Sequence, residues 1–239
     1  MPGMPAYETS MVDINLKEPP EFGELQIQIN LAAVSVQSKA EAKKLLVAAI
    51  RSETRPLKYI LTGDVSVDIE WLVHERTRYE SDTSPDVDNV VKPTLDAFAG
   101  PEGLIIDDCQ VQSVSVSWID WTAAEQQLRI TFRYSPDEWT SRAGLRFVQF
   151  GGALCLPVAD GLPDDILNLV LDHYERMLVM AQHAEVLFGD YYLSRLVLPV
   201  QRLFHRTRIH GFPVVNLSEL RATLCEARYT DIAHITDVE

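Results

Sequence analysis

Three stretches of this chain alternate apolar and polar residues with a period of two, and only a β-strand turns that period into one buried side. In Glu24–Leu31, Leu25, Ile27, Ile29 and Leu31 alternate with Gln26, Gln28 and Asn30. In Asp64–Val73, Val65, Val67, Ile69, Trp71 and Val73 share one side. In Gln126–Tyr134, Leu128, Ile130, Phe132 and Tyr134 do the same. Val111–Trp118 reads as a further strand, with Val114, Val116 and Trp118 inward, and as the first arm of a hairpin closed by 126–134. Between the strands lie two helical signals. Ser38 followed by Glu41 has the spacing of a capping box, opening a helix to about Arg51 with Leu45, Leu46, Ala49 and Ile50 on its apolar face. A second helix should run to about Ala99 and stop at Gly100-Pro101. Strand, helix, strand, helix, strand, strand gives an α+β unit over 24–135, a small mixed sheet with two helices.

The flanks have another texture. Residues 1–23 hold Pro2, Pro5, Pro19 and Pro20 among acids and read as a flexible N-terminal arm. Residues 136–239 read as a mostly helical C-terminal extension. A short strand is expected around Leu145–Phe150, and a helix should open at Pro163-Asp164-Asp165 and continue through Ile166–Met180. A last helix is expected over Ala184–Arg206, broken by Pro199. The 239 residues suffice for one large domain or two small ones. No stretch approaches the roughly 18 apolar residues of a membrane span, and no signal peptide is evident. Cys109, Cys155 and Cys225 form neither a disulfide framework nor a zinc pattern, so a reducing cytoplasm is the expected location.

The formal charge is −14. Phosphate binding normally rests on a basic face, so affinity for nucleic acid must come from local chemistry or from a divalent metal. The local chemistry is acidic. Asp86 and Asp88 stand two apart at a helix entry, where both carboxylates can face one cation, and Asp107-Asp108 follow the helix. Clustered carboxylates repel one another, and a hard, oxygen-seeking cation such as magnesium relieves that repulsion. Spacing alone leaves a second reading open: Asp88 also suits an N-cap, Asp107-Asp108 a polar turn, and Lys92 a solvated helix charge.

Taken together, Asp86-Val87-Asp88-Asn89-x-x-Lys92, then Leu95-Asp96-Ala97 and Gly100, then Asp107-Asp108-Cys109-Gln110-Val111, resemble the RusA family of Holliday junction resolvases. The resemblance implies that Asp86, Asp88 and Asp108 are metal-binding carboxylates, that Lys92 assists catalysis, and that Asp107 is a further ligand or an orienting neighbour. It implies Mg2+, with Mn2+ as a substitute, and a homodimer that cuts branched DNA by hydrolysis. Asn89 suits either support of a carboxylate or satisfaction of helix-end backbone groups. Cys109 reads as a small inert thiol.

Two features depart from that family. Its arginines close before the D-x-D-N run are replaced here by Glu80, Ser81, Asp82, Thr83 and Ser84, with Arg76 and Arg78 the nearest cations. Residues 24–135 carry 11 basic and 17 acidic side chains. The concentrated basic run lies in the extension, where Arg202, His205, Arg206, Arg208 and His210 surround Phe204. That run suits a phosphate- or partner-contacting segment, or equally a helix end whose cations complement the dipole. Three functions follow in order of expectation: junction resolution in recombination and repair, cleavage of other branched DNA, and a RusA-like scaffold that binds a protein partner through 136–239.

Overall fold

A computed structural model describes residues 16–82, 84–123, 125–197 and 202–224. Most of the proline-rich arm, residues 1–15, lies outside the described residues. Its remainder runs against the body: Lys58 N–H donates to the Leu16 carbonyl (2.6 Å) and the Tyr134 hydroxyl to that of Pro20 (3.0 Å).

The period-two segments become strands. β1 is Glu24–Asn30, β2 Tyr59–Leu61, β3 Val65–Val73, β4 Val111–Asp120 and β5 Gln127–Tyr134. The large sheet has the order β1-β5-β3-β4. β5 runs antiparallel to both β1 and β3, whereas β3 and β4 are parallel. The expected β4–β5 hairpin is therefore wrong, because β3 lies between the two strands. The physical reason is burial. β3 hides Val65, Val67, Ile69, Trp71, Leu72 and Val73 and takes the centre, while β4, with Ser113, Ser115 and Ser117, tolerates the wet edge. Val116 and Trp118 do pack on the core, but Val114 is exposed.

Helices α1 (Ala40–Thr54) and α3 (Val91–Phe98) cover the apolar face. α1 starts after Lys39 without a side-chain cap, and the Ser38 hydroxyl instead accepts the Ser35 N–H (2.9 Å). The expected capping box is thus absent. Leu46 and Ile50 are buried, but Leu45 is 62% exposed, so the buried face is narrower than expected. Phe98 meets Phe132 with ring centroids 4.9 Å apart. Burying each such side chain contributes on the order of 2 kcal/mol. α3 stops at Gly100, whose φ of 96° suits a residue without a Cβ. A short helix, α2 (Glu75–Tyr79), occupies part of the polar connection after β3.

The fold is α+β, and helix is the larger part of its C-terminal region. That region also carries a sheet that the sequence only half disclosed. β6 is Trp139–Ser141, β7 Arg146–Gln149, β8 Leu154–Val158, β9 Phe204–His205 and β10 Val214–Asn216. β7 to β10 form a second sheet in the order β10-β7-β8-β9. α4 spans Asp164–Phe188 and ends at Gly189, whose φ is 66°. The helix expected over Ala184–Arg206 is not continuous. α4 ends at Phe188, α5 (Tyr191–Ser194) is one turn, and Phe204–His205 is strand. Pro199 lies outside the described residues.

The two regions share structure. β2 pairs antiparallel with β6. Arg142 donates to the carbonyls of Tyr59 (2.7 Å), Pro101 (2.8 Å) and Gly103. One apolar cluster joins Ile60 and Ile106 to Leu145, Phe147, Phe204, Ile209 and Phe212.

Candidate active site

Asp86 stands at the N-cap of a 3-10 turn, Val87–Val90, that runs straight into α3. Its side chain makes no cap bond, and Asp88 lies inside the turn, so neither carboxylate is used as a cap. Both residues are exposed. The turn is tied down by backbone: Asn89 N–H donates to the Asp86 carbonyl (3.1 Å), and the Asn89 carbonyl accepts from Val36 N–H (2.9 Å).

Lys92 follows at the start of α3. Its ammonium bonds Asp96 at 3.0 Å and stands 3.9 Å from an Asp108 oxygen. The hydrogen bond and charge of Asp96, then the charges of Asp108 and Asp107, hold the Lys92 ammonium above its ordinary pKa. It is a cation at any neutral pH.

Asp107 and Asp108 sit at a second 3-10 turn, Asp108–Gln110. Here the cap reading holds for Asp107, whose carboxylate accepts Cys109 N–H (3.0 Å). Gln110 completes a capping box by accepting from Asp107 N–H (3.2 Å) and also from Ile106 N–H (2.7 Å). Its amide donates to the Leu61 (3.1 Å) and Gly63 (2.7 Å) carbonyls. Gln110 is only 2% exposed, so one buried amide fastens the acidic turn to the end of β2. The sequence reading gave Gln110 no role, although the Asp107-x-x-Gln110 spacing was a visible capping signal. Loss of hydration, then the Asp107 carboxylate, push the Cys109 thiol up to about 12, which disfavours the nucleophilic thiolate.

The basic residues separate by position. Arg76 pairs with Glu80 (3.3 Å), and Arg78 pairs with Asp120 (3.5 Å) and covers the Tyr79 ring. Arg202 pairs with Asp64, which also accepts from Gln112. Arg206 and Arg208 occupy a 3-10 turn, Arg206–Arg208, directly after β9, so the reading of this run as a helix end is corrected. Only Arg208 among these five reaches the acidic turn, 3.4 Å from Asp107 and 3.8 Å from Asp108.

Asp86 and Asp88 stand exposed on one turn, and Lys92, one helical turn later, reaches Asp108 on the other. The donors are all carboxylate oxygens, a set suited to a hard cation such as magnesium. Among the described residues no three acidic, His or Cys side chains are drawn together as a ready coordination shell. In this arrangement Lys92 and Arg208 supply the positive charge beside Asp108.

Among the described residues no helix is long and apolar enough to cross a membrane. No curated protein matches the sequence. The family model for endodeoxyribonuclease RusA matches residues 20–133, a segment that contains both acidic turns and Lys92. This segment, a little under half of the chain, is a RusA-family endodeoxyribonuclease segment.

Proposed function

We propose that the protein is a magnesium-dependent endonuclease that resolves four-way DNA junctions in recombination and repair, acting as a homodimer in the cytoplasm. The observation that carries the reading is the approach of Lys92, which follows two exposed carboxylates that cap nothing, to Asp108. Asp86, Asp88 and Asp108 would hold the cation, with Mn2+ able to replace Mg2+, and Asp107 orients the turn through its cap. A bound magnesium ion supplies Lewis-acid polarisation of the phosphate and an activated water. Lys92 meets the negative charge that develops on the phosphate and leaving oxygen. A two-fold homodimer presents two such sites to the two-fold symmetry of a junction.

In this reading 24–135 is the nuclease domain, and 136–239 is an extension that shapes the surface offered to DNA or to a protein partner. Arg76, Arg78, Arg202, Arg206 and Arg208 are the candidate DNA contacts. Cleavage of synthetic four-way, forked and linear DNA with and without magnesium tests the substrate. Paired, symmetric nicks in the four-way junction are expected. Cleavage of forks in preference to junctions would assign the activity to other branched DNA, and binding without cleavage would favour the scaffold.

A further inference from the structure

Arg208 lies outside the segment that matches the family, yet its guanidinium faces both residues of the Asp107-Asp108 turn. This approach is built into the core. Phe204 and Ile209, on either side of the Arg206–Arg208 turn, are buried in the same apolar cluster as Ile106, the residue before Asp107. Phe147 locks the arrangement, with ring centroids 6.0 Å from Phe204 and 5.1 Å from Phe212. The turn is capped by the His205 ring, which accepts Thr207 N–H (3.3 Å), and Arg206 N–H donates to the Ala153 carbonyl (2.7 Å). Backbone on both sides of the ion pair therefore hangs from one core.

The Arg208 side chain is 52% exposed, and an ion pair so exposed adds little to stability. What the guanidinium does offer is a planar fork of donors suited to a phosphate. The stretch Glu80–Pro85 before Asp86 holds no cation at all. Phosphate charge at this site would meet Lys92 from the matched segment and Arg208 from the extension.

We propose that Arg208 is a catalytic residue of the nuclease site contributed by the extension. It pairs with the Asp107-Asp108 carboxylates before a divalent cation binds, and it turns its fork to the DNA phosphate once the cation takes Asp108. The proposal rests on the nuclease reading above. A cation on the carboxylates repels the guanidinium, and the phosphate then becomes its nearest anion.

The test uses full-length Arg208→Ala and Arg208→Lys, with Mn2+ binding measured calorimetrically without DNA and junction cleavage measured in saturating Mg2+. The side chain is half exposed, so neither substitution opens the core. Arg208→Ala should bind Mn2+ about threefold more tightly, the scale of a lost surface ion pair. Its cleavage rate should fall by about tenfold or more, as for other donors aimed at developing charge. Arg208→Lys should recover part of the rate. Unchanged or weaker Mn2+ binding by Arg208→Ala overturns the resting pair, and a cleavage rate equal to wild type overturns the phosphate contact. Wild-type protein that cuts no DNA overturns the nuclease reading and the phosphate contact with it, while the Mn2+ measurement still decides the resting pair.

Discussion

Asp86, Asp88, Asp107 and Asp108 are one residue type in four different situations. Asp107 spends its carboxylate on Cys109 N–H, Asp108 faces two cations, and Asp86 and Asp88 cap nothing. Lys92 is held above its ordinary value of 10.5, first by Asp96 and then by Asp108 and Asp107. The sign follows directly. A lysine whose pKa is raised keeps its charge below the ordinary value and loses it only as pH climbs through the raised one. Lys92 should therefore add no inflection to the pH–rate profile between about pH 7 and about pH 9. Lys92→Met should lower the cleavage rate by about 100-fold with junction binding nearly intact. A lysine-dependent inflection near neutrality would contradict this assignment. Gln110 is a positioning residue in the same turn. Gln110→Leu removes the acceptor of two N–H groups and should cost about 3 kcal/mol, readable as a lower denaturation midpoint. Gln110→Glu keeps that acceptor but turns a carboxylate oxygen onto the Leu61 and Gly63 carbonyls, so it should recover none of the loss.

Secondary structure was more legible than strand order. β1, β3 and β5 follow from alternation alone because each buries one side or both. The strand order could not be read that way, since alternation says which side is buried and nothing about which neighbour is bonded. The assumption that β4 and β5, adjacent in sequence, would pair failed because β3, with six buried residues, outcompeted β4 for the centre. The carboxylates were legible because their motif is local. Their link to Arg208 spans about a hundred residues and was invisible. In the extension, β9 forms where a helix to about Arg206 is expected, since the buried Phe204 has no local signal to separate strand from helix. Phe204 is 4% exposed in the cluster that joins the two regions. Phe204→Ala should cost about 3–4 kcal/mol through the cavity it leaves. Because the same anchor holds the Arg208 turn, cleavage should fall even at temperatures where the variant is fully folded. Loss of stability with an unchanged rate in the folded protein would separate the core from the site.

For the molecule as a whole, the charge of −14 sets the terms on which DNA can be bound. A chain this acidic cannot rely on a broad basic face, so in the proposed function metal and a few placed cations would offset phosphate repulsion. The shared cluster around Phe147 and the Arg142 bonds to Tyr59 and Pro101 bind the extension to the nuclease segment, so both regions answer for the site. The central claim is that Asp88 and Asp108, from two separate turns, jointly hold the metal used for cleavage. The direct measurement is a magnesium titration of four-way junction cleavage by wild type, Asp88→Asn and Asp108→Asn, with folding of each checked by circular dichroism. Wild type should give paired nicks that vanish without magnesium, and each variant should lose at least about 100-fold in rate while remaining folded. Cleavage that survives in both folded variants would show that the metal and the chemistry lie elsewhere.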